Sequence, residues 1–536
     1  MFEKNVDMTN QTEQNRHALN KCSRGSSKCG CREKTVIEKQ VISVPKKNSY
    51  EDIRPQLSIK EACEILKIDL PSLDNSDSYD LLDLNKLRSV ATSSWAIRED
   101  SIAVLKNYGS GVTIDCAVKH NAGMIIGDYQ YRNTGAYSVM YPAGKWYRCI
   151  DIYTKLCEGI RLKYKTPVIA VTGNAGKTTT KDLLSSIFIR EKNTLCVDKN
   201  YNTWYSVGEI IQNLTTEHEM YIQEVHEPHA EYCSRMLHPD FVILTNLERA
   251  HIDEMGASIE SCINMTLGIL KDMNKDGIIF ANNDCKYLSK EKFDGYNVIR
   301  YSAYSNECDF WAEGIENYYE YTKFTIKSKK GHSVDIKLNI SGTHNVNNAV
   351  AAFAVAVTLG IDPKDAVNAM SLYRPSGVRQ NLIKKDDRFI LVDCYSTTVL
   401  SSIATGEAFS KVPVSDGGRK IIVLSYLPTL GSESESVHRD VGRGISKLPV
   451  DLVLAYRNDA KYIVEECQKA GKEAVFFQYH KDLIEFLNKN LTNLDNVAFK
   501  GVTYSHLEQV ANACLGLNII PENSIEKDRP HNGGDF

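Results

Sequence analysis

Val168–Phe188 reads VIAVTGNAGKTTTKDLLSSIF. An apolar run of strand length ends at Thr172 and a glycine-rich turn follows. Lys177 and Thr178 then open a segment whose Leu183, Leu184, Ile187 and Phe188 recur at helical spacing. Strand, turn and helix in that order suit a phosphate chain: small residues let backbone N–H groups face it, and the helix N-terminus adds partial positive charge. Lys177 would neutralise β/γ oxygens, and the Thr178 hydroxyl would ligate Mg²⁺. The general G-x-x-x-x-G-K-[ST] string wants glycine at 171, where this chain has Val171, so the match is the contracted G-x-x-G-K-T. A tight turn with a solvent-facing lysine is the competing reading, and the flanking strand and helix favour the nucleotide. The expected phosphate contacts are Thr172, Gly173, Asn174, Ala175, Gly176, Lys177, Thr178 and Thr179.

Outward from this loop the texture repeats. TLCVD (194–198), MYIQEV (220–225), FVILTNL (241–247) and GIIFAN (277–282) are short apolar runs separated by helical patterns, which indicates a parallel sheet of βαβ units. Residues 309–340 switch to period two, an antiparallel insert. FILVDC (389–394), KIIVLSYL (420–427), DLVLAY (451–456), AVFFQY (474–479) and NVAFKG (496–501) repeat the α/β alternation in a second, smaller sheet, closed by a helix through Leu507, Val510, Ala511 and Cys514. Before the loop, a short amphipathic helix at IKEACEILKI and buried strands after Ser101 and Gly123 suggest a small mixed domain. The resulting division is 1–50 flexible polar tail, 51–160 N-terminal substrate-binding domain, 161–375 central ATP-binding domain, 376–520 C-terminal α/β domain and 521–536 tail.

At 536 residues the chain is long enough for several domains, and 42% hydrophobic with 25% charged residues is ordinary globular composition. A net charge of −4 argues against a nucleic-acid partner held by bulk charge. No apolar run spans a bilayer and the N-terminus lacks a signal-peptide core, so a cytoplasmic protein without a membrane partner is expected. The 15 cysteines scatter through core-like segments and read as small buried hydrophobes. Cys22, Cys29 and Cys31 make no standard zinc spacing.

Further blocks follow the phosphate loop in order: NYNTWYSVG (200–208), QEVHE (223–227), TNLERAHIDEMG (245–256), FANNDC (280–285), SGTHNVNNAVAAFAV (341–355), PSGVRQNLI (375–383), LVDCYSTTVLSS (391–402) and VLSYLPTLGSESESVHRDVG (423–442). With TGNAGKTTT, this series resembles the Mur ligase family, the ATP-dependent amide-bond ligases of peptidoglycan precursor synthesis. Within it, the G-x-HN-x-x-N-A-x-A and VLSYLPTLG blocks look most like the branch that adds D-alanyl-D-alanine to the muramyl tripeptide. The resemblance implies a three-domain α/β architecture: an N-terminal substrate domain, a central P-loop ATPase domain and a Rossmann-like C-terminal domain that closes over the site. It implies ATP and Mg²⁺ as cofactors, a small-molecule carboxylate donor and an amine acceptor as substrates, and a monomer or weak homo-oligomer. It implies roles for Glu224 as a Mg²⁺ carboxylate and His251 as the metal-proximal histidine. His344 and Asn345 fall on the adenine side together with Asn282, Arg379 near the phosphates, and Asp393 at the interdomain site. A solvent-facing Glu224, a structural His251, a helix-capping Asn345 and a surface Arg379 are the competing readings.

The chain departs from the family in informative places. Many members carry a carbamylated lysine where alignment places Thr266, and Lys271, five residues on, lies about 140° around a helix. Ser396-Thr397-Thr398-Val399 stands for Asn-Ala-Asn-Pro, Ser425-Tyr426-Leu427 for Gly-Asp-Met, and Ser93-Ser94-Trp95 for Asp-Ser-Arg. Thr203 replaces the second asparagine of a double-Asn block, while His226 and Glu227 stand where the family has Gly and Ala. Nucleotide positions are mostly kept and substrate positions rewritten. Since unpaired polar groups reject an old substrate strongly, the expected activity is ligation through an acyl phosphate on a non-standard carboxylate and amine. The ordinary D-alanyl-D-alanine-adding reaction and a catalytically impaired nucleotide-binding scaffold are the alternatives.

Overall fold

The computed structural model describes residues 53–70, 83–106, 111–128, 134, 136–140, 148–197, 200–248, 252–256, 258–375 and 377–520. The cysteine-bearing stretch 1–50, the terminal stretch 521–536 and His251 lie outside them.

The first sheet is small and wholly parallel. Helix α1 (Ile59–Leu66) starts with a capping box in which Ser58 and Glu61 satisfy each other's backbone N–H groups. Strands β1 (Val90–Ala91), β2 (Ile102–Val104), β3 (Met124–Gly127) and β4 (Tyr137–Met140) pair in that order, with α2 (Ile114–Lys119) between β2 and β3. Strands β2 and β3 are buried at every residue, as parallel strands covered on both faces must be. Helix α3 (Arg148–Arg161) buries Ile152, Tyr153, Leu156 and Ile160 in a core that runs without a break into the second sheet.

That second sheet holds β5 (Val168–Thr172), β6 (Thr194–Cys196), β7 (Met220–Glu224), β8 (Phe241–Leu244), β9 (Ile278–Asn282), β10 (Asn297–Ser302), β11 (Phe310–Asn317), β12 (Thr322–Ser328) and β13 (Ser333–Leu338). Their order is β13-β12-β11-β10-β9-β8-β5-β7-β6, and only β11–β12–β13 pair antiparallel. The insert is where period two placed it; β10 was not anticipated. Helix α4 (Lys177–Glu191) packs with α9 (Thr343–Thr358) and α10 (Pro363–Ser371) in one core. The opposite core contains α5 (Trp204–Ile211) and α6 (Ala230–Leu237), with α3 beside them. Short α7 (Ile252–Met255) and α8 (Ile259–Leu267) follow β8. The chain therefore leaves β5 toward one face and adjacent β7 toward the other. Ligands bind in the crevice such a reversal opens at the carboxyl ends of parallel strands. Helix α9 is apolar nearly all round and accordingly buried, with Ala349, Ala352 and Phe353 fully inaccessible.

The third sheet comprises β14 (Asn381–Lys385), β15 (Arg388–Asp393), β16 (Lys420–Ser425), β17 (Leu452–Tyr456), β18 (Glu473–Phe477) and β19 (Asn496–Lys500), ordered β14-β15-β19-β16-β17-β18 and parallel except for β14. Helices α11 (Val399–Ser410), α12 (Ser434–Ile445) and α13 (Lys461–Lys469) share one core with its strands; α14 (His480–Asn490) and α15 (Leu507–Leu515) share the other. Ile252 of α7 joins the former, and Asp253 N donates to Thr429 O at 3.2 Å, tying this sheet to the second. Of the described cysteines, Cys63, Cys157, Cys233, Cys262, Cys285, Cys308, Cys394 and Cys467 are buried, and none of those described is in a disulfide.

Candidate active site

The phosphate loop is built by two glycines and a clamp. Gly173 and Gly176 take φ of +127° and +83°. A Cβ on Gly173 would meet Thr245 Oγ1 at 2.3 Å, and one on Gly176 would meet Asn348 Oδ1 at 2.4 Å. The loop after β8 grips the turn: Asn174 N donates to Asn246 O (3.0 Å), Ala175 N to Asn246 Oδ1 (2.7 Å), Thr245 Oγ1 to Ala175 O (2.7 Å) and Glu248 N to Asn174 Oδ1 (2.8 Å). Gly176 caps α4 without a side chain, so the helix's first-turn N–H groups have no side-chain acceptor and suit an anion. Thr172 lies fully buried beneath this turn.

Charged groups converge at the β5/β7 crevice. Thr178 Oγ1 donates to Glu224 Oε2 at 2.7 Å, and Asn202 Nδ2 holds the other oxygen at 2.8 Å. Two oxygen donors beside a phosphate site match Mg²⁺, which takes a few carboxylate or hydroxyl ligands and completes its shell with water and substrate phosphate. Among the described residues no group of three or more His, Cys, Asp or Glu could by itself enclose a metal. Lys177 Nζ donates to Gly173 O and to Glu227 Oε1, both at 2.7 Å. Glu227 is fully buried, its Oε2 has no hydrogen-bond partner, and His226 Nε2 lies 3.8 Å away. Burial pushes the nearby Glu248 carboxyl up to about 7, against hydrogen bonds from Thr398 and Leu400 and with the Glu227 charge adding to the rise.

The C-terminal sheet supplies the opposite wall. Arg379 lies flat on Tyr395, its guanidinium carbon 3.3 Å from the ring centroid, and both line the cleft of about 400 Å³ that holds Lys177, Thr178 and Glu224. Asp393 lies behind. Its carboxylate accepts from Lys500 Nζ (2.8 Å), Thr405 Oγ1 (2.7 Å) and Gln380 N (3.3 Å). Burial alone would raise Asp393, but Lys500 and these hydrogen bonds outweigh it and hold the carboxyl below the usual aspartate value. A second cavity of about 350 Å³ opens between β12–β13, α9 and the C-terminal sheet. His344 lines it, bonded through Nε2 to Gln380 Nε2 at 2.9 Å, and desolvation pushes its imidazole down to about 4.

Of the expected residues, the cleft lining joins Asn174 through Thr179 to Glu224 and Arg379. Asn282 is buried, donating to Thr245 O at 2.7 Å and accepting from Asp284 N at 2.9 Å. Asn345 does not cap α9; Gly342 occupies that position, and Asn345 Nδ2 donates to Ser341 O (2.8 Å) and Gln380 Oε1 (2.9 Å). Thr266 is fully buried with its hydroxyl turned onto Cys262 O, and Lys271 pairs with Glu231 at the surface. Thr398 is spent as the N-cap of α11. Trp95 meets the cleft residue Tyr205 edge-on at 5.8 Å. Sequence reasoning missed Lys500, Tyr395 and Glu248, whose places depend on strand register and on loops meeting across the fold.

The model for the Mur ligase middle domain matches residues 171–356. The UDP-N-acetylmuramoyl-tripeptide–D-alanyl-D-alanine ligase of Bacillus subtilis is 28% identical over 363 residues, 64% of this chain and 75% of that enzyme. Residues 171–356 thus resemble a Mur ligase middle domain, and the relatives that match a longer stretch of the chain are named as ligases. The fold agrees: MurF from Acinetobacter baumannii superposes with a TM-score of 0.75 at 21% identity, over 87% of this chain and 100% of that one. MurF from Thermotoga maritima, solved in complex with ADP, gives 0.67 at 21% identity over 80% and 96%.

Proposed function

We propose that this protein joins a carboxylate to an amine, using ATP to activate the carboxylate as an acyl phosphate. The observation that carries the reading is the convergence of Lys177, Thr178 and Glu224 with Arg379 and Tyr395, from two sheets, on one cleft. Thr178 and Glu224 would hold Mg²⁺, which supplies charge neutralisation on the phosphate oxygens. The loop N–H groups and Lys177 orient the phosphates. A substrate carboxylate attacks the γ-phosphorus, ADP leaves, and the amine then displaces phosphate to form the amide. Arg379 faces the developing charge from the C-terminal side, while His344, neutral at pH 7, lines the nucleoside side. Positioning and charge stabilisation are the protein's share of the work. The division 51–160, 161–375 and 376–520 is retained as substrate, ATP and closing domains, and a cytoplasmic location is part of this reading. Among the described residues no helix is long and apolar enough to cross a membrane.

The acceptor is a non-standard amine in this reading, because Thr397 and Thr398 are buried and Thr398 is consumed by capping. The second reading, the ordinary D-alanyl-D-alanine-adding reaction, rests on the Bacillus relative. ADP release with ATP, Mg²⁺, UDP-muramyl-tripeptide and D-alanyl-D-alanine, with mass detection of product, separates them. Efficient product formation selects the ordinary reaction; nucleotide binding without product selects a different substrate pair.

A further inference from the structure

Glu227 is a charged residue buried behind the phosphate loop, and the ligation chemistry does not explain its presence. It is fully buried, neutralises the phosphate-loop lysine at 2.7 Å, and keeps a second oxygen without a hydrogen-bond donor. Glu224 and Glu248 are close by, each at least nine-tenths buried, and Glu248 also has an oxygen without a hydrogen-bond partner. The turn carrying Glu227 packs on α8, which buries Cys262 and Thr266 and contains no lysine. The loop therefore meets a nucleotide with its principal cation already committed.

Drawing Lys177 onto a phosphate strands a buried carboxylate, and a nucleotide without metal adds more negative charge to the same place. A cation arriving between Thr178 and Glu224 restores the positive charge that the lysine withdraws. We propose that Glu227 makes nucleotide binding conditional on a divalent cation, so that the site takes the metal–nucleotide complex and rejects the free nucleotide. Glu227 acts through Lys177 and is a positioning residue. Because coupling is reciprocal, the same carboxylate that repels free nucleotide strengthens the cation's dependence on nucleotide.

This inference rests on the ATP-dependent reading, and calorimetric titration of the full chain with ADP and a non-hydrolysable ATP analogue tests the two separately. Titrations are run in Mg²⁺ and in excess chelator. In the unaltered protein Mg²⁺ should tighten binding at least a hundredfold. Glu227→Gln keeps the shape and an oxygen for Lys177, so metal-free nucleotide should bind at least tenfold tighter and the Mg²⁺ dependence should shrink by a similar factor. Glu227→Ala should move both quantities in the same direction and serves if the glutamine variant does not fold, as judged by its melting temperature. An unchanged Mg²⁺ dependence in the variants, or an equal weakening with and without metal, would overturn the proposal. Failure of the unaltered protein to bind nucleotide even with Mg²⁺ would overturn the ATP-dependent reading and this inference with it.

Discussion

Lys177 and Glu227 bind each other in the nucleotide-free protein, so each is needed to make the other's burial tolerable. Removing one partner of such a pair leaves an uncompensated charge at a cost of about 3–5 kcal/mol. Lys177→Ala should therefore abolish nucleotide binding and also lower stability toward urea, whereas Lys177→Ala combined with Glu227→Gln should recover most of the stability and none of the binding. Asp393 and Lys500 form the comparable pair in the C-terminal sheet, with side chains 8% and 4% exposed. The folded Asp393 carboxyl titrates below its unfolded value. Its contribution is therefore complete above about pH 4 and is lost as the pH falls through the folded value. Asp393→Asn should flatten that part of the acid limb in urea unfolding measured from pH 7 to 3, and should destabilise the protein at pH 7. These partnerships were only half legible in the chain. Asp393 stood out at the end of an apolar strand, but Lys500 becomes its partner through the parallel register that sets Asp393 opposite Lys500. Glu227 was visible as a departure from family, and its lysine partner lies 50 positions away.

At the scale of elements, the loop and its helix are one unit whose geometry tolerates few side chains. Gly176→Ala must adopt φ near +83° and place a methyl group 2.4 Å from Asn348 Oδ1, so the Asn348 side chain would have to swing away from Thr180 and Asn345. A left-handed conformation costs a non-glycine residue roughly 1–2 kcal/mol before any clash. The variant should melt lower and bind nucleotide at least a hundredfold more weakly, which thermal unfolding and calorimetry would show. Thr398→Ala removes the acceptor for Ser401 N at the start of α11 and should cost about 1 kcal/mol in urea unfolding, the ordinary value of an N-cap. Strands with continuous apolar runs, such as β5, β8 and β16, announce themselves because parallel strands are buried on both faces. Asn297–Ser302 and Asn381–Lys385 do not: both mix charge with β-branched residues, and each pairs with a neighbour that is itself easy to read.

For the whole molecule, the cores decide what unfolds together. One core joins α1, α3 and the N-terminal strands to one face of the central sheet. The C-terminal sheet carries its own two cores, to which the central region adds Ile252 and the partly buried Tyr319. The α/β order along the chain revealed two sheets and a small mixed domain before them; it did not reveal that this domain shares a core with the central sheet, because that depends on where α3 lies. Scanning calorimetry of the nucleotide-free protein should accordingly resolve two transitions, one for the N-terminal and central sheets together and one for the C-terminal sheet. Residues of both sheets line the cleft, so Mg²⁺ and nucleotide bound there as proposed would touch both walls, raise the lower transition and bring the two closer. Phe409 is fully buried in a C-terminal core. Phe409→Ala should cost about 3–5 kcal/mol and displace the C-terminal transition while leaving the other in place. A single transition that Phe409→Ala shifts as a whole would instead mean that α7 and the cleft contacts bind the three sheets into one cooperative unit, with closure built into the resting molecule.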